Sequence, residues 1–368
     1  MSIMTPDYTH SILNVTATIL KKYQAPTAYQ EIQVLADAMN EKDHIVLVLL
    51  DGMGMNLLTK HLSRGAFLLK YLKDVITSVF PPTTVAATNT VLSGLPPFQS
   101  GYLGWVQYFP KEDANIVVFQ NQDFYDKNRV FDVNFREKYL KYPLIYEQIR
   151  KNSKDHITLH ELFPNFREDG YASFKDQVDK VIDITRQHQK SFTYVYWTEP
   201  DLTEHQYGVD AYATRNVVQH LDEELERLAF FSAKSTTIVV IADHGLTDVS
   251  EVDLFKDTKL MSMLKRLPSM EPRATNFFVK AKYKLEFKTH FEKTYGEDFL
   301  LLTKEELLAK GWLGTGKKHK MLNQFLGDYI AIATGKMMMK IGEGKAFVAH
   351  HAGLTSEEME VPLVIFTK

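Results

Sequence analysis

Short, continuously apolar runs rich in β-branched and aromatic residues recur along this chain and constrain its fold more than any other feature. These runs are HIVLVLLD (His44–Asp51), VITSVF (Val75–Phe80), SFTYVYWTE (Ser191–Glu199), TTIVVIADHG (Thr236–Gly245) and VPLVIFT (Val361–Thr367). Strands buried on both faces of a parallel sheet show this continuous pattern. Amphipathic helical stretches lie between the runs, for example Phe174–His188 and Asn216–Phe231. The alternation predicts an α/β fold, a three-layer α/β/α sandwich with a mostly parallel central sheet.

Residues 266–344 show a different pattern. Shorter strand-like and helix-like segments alternate there, and lysine is frequent. The chain has 368 residues, whereas a single core stops growing at roughly 250–300 residues. We therefore predict a catalytic α/β core of residues 1–265 and 345–368, with residues 266–344 forming an inserted α+β cap. The alternative is that these residues continue and decorate the main sheet.

The composition excludes several classes of site and partner. The absence of cysteine rules out a disulfide framework and a thiol nucleophile, so any metal must be held by His and carboxylate. With 43 Lys and Arg against 46 Asp and Glu, the net charge is −3, which argues against binding duplex nucleic acid through a basic face. No apolar run reaches the ~18–20 residues of a membrane span, and the start lacks a basic segment followed by an apolar one. We expect no membrane association and a cytoplasmic location; the oligomeric state is left open.

Ligands of open α/β sheets bind just beyond the carboxyl ends of the strands. Acidic and His residues follow the predicted strands at these positions: Asp51, Asp201, His205, Asp243 and His244. His350 and His351 come shortly before the last predicted strand and are expected at the same rim. Each of them alone has an ordinary explanation, such as a turn, a helix cap or a solvated pair. Together they supply the oxygen and imidazole ligands that zinc and manganese prefer. Their convergence on one rim of the sheet predicts a metal site.

Thr84 is the other residue of interest. It follows a strand and Pro81-Pro82 and precedes VAATNTVLSG, a segment compatible with a helix. A Thr at the start of a helix is usually an N-cap. Beside a metal site, however, a lowered pKa makes its hydroxyl a nucleophile, and the first turn of the helix presents amide N–H groups to a phosphate.

Taken in order, the segments DGMG, PPTTVAATNTVLSGLPP, EPDLTEH, ADHG and HHAGLTSEEMEVPL resemble the alkaline phosphatase superfamily. Within it, they are most similar to the type I phosphodiesterase/nucleotide pyrophosphatase family, and the resemblance spans Asp51–Leu363. It implies a phosphodiesterase or pyrophosphatase that uses two divalent metal ions. Zinc is the expected ion and manganese the alternative. The implied substrate is a small phosphate ester, such as a nucleotide.

The resemblance also implies a role for each site residue. One zinc ion would be held by Asp51, Asp243 and His244, with the Thr84 hydroxyl as a further ligand. The other would be held by Asp201, His205 and His351.

The nucleophile of the family stands ten residues before the Gly of the next Ser-Gly pair. Here that glycine is Gly94, and 94 − 10 = 84, so the pattern selects Thr84 over Thr83. The reaction would pass through a covalent phospho-threonine on Thr84. His351 is preferred to His350 because a small residue and Gly-Leu-Thr follow it; His350 would support it.

Two segments depart from the family pattern. The family often has Phe-Pro-Asn after its nucleophile, where this chain has Val85-Ala86-Ala87, and Trp105 stands where the family has a phosphate-binding Asn. Either Trp105 or Asn89 would have to replace that Asn, so the preference for diesters over monoesters stays open. The alternatives are a cofactor-independent phosphomutase, a phosphomonoesterase or phosphonate-ester hydrolase on the same two metals, or a metal-binding module without turnover.

Further residues are candidates for substrate contacts. Tyr102, Trp105 and Tyr108 come soon after the nucleophile segment and would form an aromatic wall, although core packing is the commoner use of such residues. In the predicted cap, Arg273 and the basic run Lys317–Lys320 would face an anionic substrate, although solvated surface charge is the commoner use.

Overall fold

The computed structural model describes residues 3–342 and 346–368. In chain order its strands are β1 His44–Leu50, β2 Leu72–Thr77, β3 Val106–Phe109, β4 Ala114–Val117, β5 Gln122–Asp123, β6 Thr158–Leu162, β7 Ser191–Trp197, β8 Thr236–Ile241, β9 Thr247–Asp248, β10 Ser250–Asp253, β11 Ser269–Glu271, β12 Ala274–Phe277, β13 Phe299–Thr303, β14 Tyr329–Ala333, β15 Met337–Lys340, β16 Ala349–His350 and β17 Glu360–Thr367.

Its α-helices are α1 Ile12–Lys22, α2 Gln33–Met39, α3 Met55–His61, α4 Phe67–Lys70, α5 Thr84–Ser93, α6 Pro97–Ser100, α7 Phe135–Tyr139, α8 Ile145–Asn152, α9 Phe174–Thr185, α10 Asp201–Tyr207, α11 Tyr212–Phe231, α12 Thr258–Met263, α13 Lys284–Tyr295, α14 Lys304–Ala309, α15 Leu322–Phe325 and α16 Ser356–Met359. Among the described residues, no helix combines the length and apolar character that crossing a bilayer requires.

A six-stranded sheet in the order β2-β17-β8-β1-β7-β6 forms the centre of the molecule. Strand β1 lies parallel to both β7 and β8, and all seven of its residues are buried. Helices α3, α4 and α9 pack on α11, while α2, α5 and α8 pack on α1. The predicted α/β fold, with a mostly parallel central sheet and flanking helices, is confirmed.

Strand β17 departs from the expected direction. Its apolar run predicts a strand of a parallel sheet, but β17 is antiparallel to both neighbours, β2 and β8. A continuous apolar run reports burial on both faces and carries no information on strand direction, so that part of the prediction is wrong. Strand β6 was not predicted at all, because only Leu162 of its five residues is buried.

A second sheet of seven strands has the order β13-β14-β12-β11-β3-β4-β5 and is antiparallel. It combines strands of the predicted cap with β3–β5, which the sequence places in the core segment; Met270 of β11 pairs with Val106 of β3. Alternating residues of β14 enter two apolar clusters, Ile330 in one and Ala331 in the other. Apolar packing therefore covers both faces of this sheet. The division of the chain into core and cap domains stays a prediction.

A buried ion pair links the second sheet to the segment after His351. Arg273 is fully buried and donates two hydrogen bonds of 2.7 Å to the Glu358 carboxylate. Glu358 also accepts from the backbone amides of Gly353 and Thr355. From the sequence, Arg273 was expected to be a solvated surface charge or, less commonly, to contact an anionic substrate. Both expectations are wrong, because its guanidinium is buried and occupied by this carboxylate and by two backbone carbonyls.

We expect Arg273→Met to lower the free energy of unfolding by about 3–5 kcal/mol, because it leaves the Glu358 carboxylate buried without its partner. Urea denaturation measures the loss. Arg227→Met is the matched control, because Arg227 pairs with two carboxylates at a partly exposed position; its expected loss is about 0–1 kcal/mol. Equal losses in the two variants would contradict a special role for the buried pair.

Candidate active site

The acidic and His residues predicted from the sequence meet at the carboxyl edge of the central sheet. Asp51 directly follows β1, Asp243 follows β8, and Asp201 begins α10 after β7. Strands β1, β7 and β8 are adjacent and parallel, so their ends lie side by side. The Asp201 amide donates to the Asp51 carbonyl at 3.0 Å, which joins two of these ends directly.

His351 reaches the same edge through a short antiparallel ladder. His350 of β16 pairs with Thr247 of β9, three residues after His244. The imidazole rings of His244 and His351 stack with their centroids 3.9 Å apart. His350 is buried, and its Nδ1 accepts from the His351 amide at 2.9 Å. It therefore supports the position of His351, as the sequence suggested.

Asp51, Asp243 and His244 form one compact cluster, in which one potential ligand atom from each lies within 4.8 Å of the others. His244 Nε2 is 3.5 Å from Asp51 Oδ1 and 3.5 Å from Asp243 Oδ2. Thr84 Oγ1 lies 3.2 Å from His244 Nε2 and 3.4 Å from Asp51 Oδ1. The proposed nucleophile thus adjoins this cluster.

A second compact cluster consists of Asp201, His244 and His351. Asp201 Oδ1 lies 3.9 Å from His351 Nε2 and 3.3 Å from His205 Nε2. The sequence assigned His244 to the first metal only, whereas its side chain belongs to both clusters. The division of the ligands between two ions therefore stays a prediction.

The donor atoms suit divalent cations. Asp201 Oδ1, Asp243 Oδ2 and His351 Nδ1 are buried and have no hydrogen-bond partner within the described residues. Burial raises the pKa of Asp51 well above its usual range, and the charges of Asp243 and Asp201 raise it further. Burial lowers the pKa of His244 and of His351, which favours neutral imidazoles with a free lone pair. Repelling carboxylates beside neutral imidazoles form a group of side chains that bound cations would stabilise.

Hydrogen bonds to the other atoms orient these side chains. Asp243 Oδ1 accepts from the Gly52 and His244 amides at 3.1 and 3.0 Å, which leaves its Oδ2 free. His205 Nδ1 lies 2.8 Å from the Ala349 carbonyl, and donation to that oxygen leaves Nε2 as the ligand atom. Gly52 has a φ of +76°, and a Cβ there would lie 2.9 Å from the Asp201 Cα. Glycine is therefore required where the two strand ends meet.

Thr84 is the first residue of α5 and the only partly exposed residue between positions 81 and 90. Pro81 and Pro82 precede this helix, and Gly94 ends it in the left-handed region with a φ of +70°. The neighbouring Thr83 is buried, and its hydroxyl donates to Glu271 instead of facing the clusters. The accessible hydroxyl beside the clusters is therefore that of Thr84, the residue the sequence selected.

Three further polar residues at the site were not predicted from the sequence. The Tyr196 hydroxyl donates to Asp51 Oδ2. Glu204 is fully buried between two predicted ligand positions, and neither of its oxygens has a hydrogen-bond partner among the described residues. Glu271 comes from the second sheet, and burial raises its pKa to about 7. Tyr196 lies within an apolar run and Glu271 in another sheet, so no sequence pattern places either of them at the site. Glu204 belongs to the segment EPDLTEH, whose Asp201 and His205 were predicted as ligands, and it could have been predicted from that position.

The residues predicted to contact a phosphate or a ring differ in whether they are exposed. Asn89 is buried; its amide donates to the Val85 carbonyl at 2.7 Å and its carbonyl accepts from the Tyr142 hydroxyl. Tyr102 and Tyr108 are buried in the packed interior. Trp105 remains 37% exposed, which leaves it as the one member of the predicted aromatic wall that can face a ligand.

In the basic run, His319 lies against the Tyr139 carbonyl at 3.0 Å.

Solved structures share this fold. Murine ectonucleotide pyrophosphatase/phosphodiesterase 5, as an inactive variant in complex with AMP, is 17% identical with a TM-score of 0.63, over 88% of this chain and 87% of that chain. The human protein of the same name is 16% identical with a TM-score of 0.66, over 88% and 87%. Phosphonoacetate hydrolase from Sinorhizobium meliloti 1021, in complex with phosphonoformate, is 15% identical with a TM-score of 0.64, over 87% and 89%.

A sequence model of the type I phosphodiesterase/nucleotide pyrophosphatase family matches residues 45–351. This range begins in β1 and ends at His351, so it includes both clusters and Thr84. The resemblance read from the sequence segments is confirmed. The chain belongs to the type I phosphodiesterase/nucleotide pyrophosphatase family, whose members are metal-dependent phosphoester hydrolases.

Proposed function

We propose that this protein cleaves phosphodiester or pyrophosphate bonds of small substrates through a covalent phospho-threonine on Thr84. The observation that carries the proposal is the position of the Thr84 hydroxyl. It is accessible at the start of α5 and lies 3.2 Å from His244 and 3.4 Å from Asp51. The closeness of this hydroxyl to a cluster of potential metal ligands supports its activation as a nucleophile.

Residues for two divalent ions are present in the site. In the proposed division, Asp51, Asp243 and His244 hold one ion, with Thr84 beside it, and Asp201, His205 and His351 hold the other. When bound, two such ions would lower the pKa of the Thr84 hydroxyl and neutralise charge that develops on the phosphate oxygens. We propose Zn²⁺ from the mixture of imidazole and carboxylate donors, with Mn²⁺ as the alternative.

The proposed reaction has two displacements. The Thr84 hydroxyl loses its proton and its oxygen attacks phosphorus. A P–O bond to Thr84 forms, the P–O bond to the alcohol or phosphate leaving group breaks, and the leaving group takes up a proton. Water then attacks the phosphorus atom, the bond to Thr84 breaks, and a proton from that water is transferred to the Thr84 oxygen. The first-turn amides of α5 stand beside the nucleophile and would donate to a phosphoryl oxygen.

The substrate class rests on family and structural likeness. The murine neighbour is in complex with AMP and the bacterial neighbour with phosphonoformate. We propose a nucleotide or a similar small phosphate ester as the substrate here, and the cytoplasm as the location. A phosphonate- or phosphomonoester hydrolase, or a phosphomutase, on the same residues is the second candidate, because Trp105 replaces the phosphate-binding Asn of the family.

A substrate panel tests this proposal. The protein loaded with Zn²⁺ or Mn²⁺ should be assayed against a chromogenic diester, a chromogenic monoester, a dinucleotide polyphosphate and phosphonoacetate. We expect the diester or the dinucleotide to be cleaved with the highest kcat/KM and chelator-treated protein to be inactive. Preference for the monoester or phosphonoacetate would favour the second candidate. Absence of metal-dependent cleavage of any of them would contradict the assignment.

A further inference from the structure

The N-terminus of α5 lacks the side-chain cap that its sequence leads one to expect. Thr83 occupies the N-cap position with an extended backbone (φ −142°, ψ 147°), yet its side chain makes no capping hydrogen bond. A Thr at this position ordinarily accepts a hydrogen bond from the second or third amide of the helix. Here the Thr83 hydroxyl donates instead to Glu271 Oε1 at 2.6 Å.

Glu271 holds that hydroxyl from the other sheet of the molecule. It is the last residue of β11 and only 2% exposed. The same oxygen, Oε1, also accepts from the Trp105 amide at 2.6 Å. Two short hydrogen bonds to one buried oxygen fix the carboxylate, and the carboxylate in turn fixes the rotamer of Thr83.

This arrangement leaves the first turn of α5 open. The Ala87 amide donates to the Thr83 carbonyl at 2.9 Å. The amides of residues 84–86 have no acceptor among the described residues. These amides belong to the turn that carries Thr84, where the start of a ten-residue helix favours an anionic oxygen. If the Thr83 side chain rotated toward the helix, its hydroxyl would accept a hydrogen bond from one of these amides and cap α5.

We propose that Glu271 is a positioning residue. By holding the Thr83 hydroxyl away from α5, it keeps the first-turn amides available to a phosphoryl oxygen beside Thr84. This inference rests on the proposed function for the identity of the anion. It assigns to the second sheet a part in organising the nucleophile segment, because β11 supplies the residue that decides whether the helix is capped.

Four variants separate this role from general support of the fold. Glu271→Gln keeps an oxygen at Oε1 that can accept from Thr83 and Trp105, and it should retain more kcat/KM and more phosphate affinity than Glu271→Ala. Glu271→Ala releases Thr83 to cap the helix, and we expect about a tenfold loss in kcat/KM and in affinity for inorganic phosphate. Thr83→Val has no hydroxyl and should lose little. The double variant Glu271→Ala/Thr83→Val cannot cap the helix and should recover most of the loss.

The recovery in the double variant is the decisive result, because loss of structural support cannot be repaired by removing a second side chain. If the double variant is as impaired as Glu271→Ala, the inference is overturned. If the alanine variant is insoluble, Glu271→Leu replaces it in both the single and the double variant, since it fills a similar volume without an acceptor.

Two measurements do not depend on turnover. Calorimetry with inorganic phosphate on the metal-loaded protein should show the same order among the variants, and a crystal structure of the Glu271→Ala protein should show Thr83 Oγ1 accepting from an amide of the first turn. A Thr83 side chain that keeps its rotamer overturns the inference. Phosphate binding that follows this order in a protein that cleaves no ester would refute the proposed function and support the role of Glu271.

Discussion

Thr84→Ala is expected to reduce phosphoester turnover by on the order of a thousandfold or more, because it removes the attacking oxygen of the first displacement. The metal content of the variant should stay unchanged. The Asp and His side chains of both clusters remain, and the Thr84 hydroxyl is only an additional neighbour of Asp51 and His244. Steady-state assays with a chromogenic diester and elemental analysis measure the two quantities.

Thr84→Ser is the matched control, since it keeps a hydroxyl at the same position and should retain part of the activity. Acid quenching during turnover, followed by intact-mass spectrometry, should reveal a phosphoryl adduct on the unchanged protein and none on Thr84→Ala. Full activity of the alanine variant would remove Thr84 from the mechanism. Loss of activity without any adduct on the unchanged protein would argue for direct attack by water.

Asp243→Asn is expected to weaken metal binding by on the order of a hundredfold or more and to abolish turnover with it. The substitution is nearly isosteric. Its Oδ1 can still accept from the Gly52 and His244 amides, while an NH₂ group replaces the free Oδ2, which has no protein partner. An NH₂ group cannot ligate a cation, so the lost metal affinity reports on that one oxygen.

In the absence of metal, the same substitution should stabilise the protein. Burial raises the pKa of Asp243, so the ionised carboxylate opposes folding above its usual pKa. We therefore expect Asp243→Asn to raise the melting temperature of the metal-free protein at neutral pH and to reduce the increase that Zn²⁺ produces. Thermal scans with and without Zn²⁺ measure both. An unchanged response to Zn²⁺ would contradict the assignment of Asp243 as a ligand.

Asp222→Asn is the control for replacing a buried carboxylate. Both Asp222 oxygens accept from backbone amides, those of Phe67 and Leu68, and the residue lies in neither cluster. It should therefore lower stability with little effect on metal affinity.

Much of the fold and site could be predicted from local patterns. The buried strands β1, β7 and β8 appear as continuous apolar runs, and Asp51 and Asp243 stand where these runs end. In a parallel sheet, this position alone predicts proximity, because neighbouring strands end at the same edge. That is why residues nearly two hundred positions apart in the sequence could be assigned to one rim.

Features that depend on pairing between distant segments could not be predicted in this way. The direction of β17 and the inclusion of β3–β5 in the second sheet are set by partners far away in the chain. Arg273 reads as a surface charge in the sequence, yet it is fully buried against Glu358. The N-cap considered from the sequence was Thr84, whereas in the structure Thr83 occupies that position and its hydroxyl donates to Glu271.

The sequence by itself thus determined the α/β class and the family, and it predicted the acidic and His residues at the strand ends and Thr84 as the nucleophile. The α/β class and the residues at the strand ends follow from burial periodicity and from the position of a residue relative to its own strand, both of which are local. The family and Thr84 follow from the resemblance of short ordered segments to those of known members. Only the tertiary structure decided that His244 belongs to both clusters and that Glu271 reaches Thr83. Contacts between side chains from segments far apart in the chain depend on how those segments pack, and no local pattern encodes that packing.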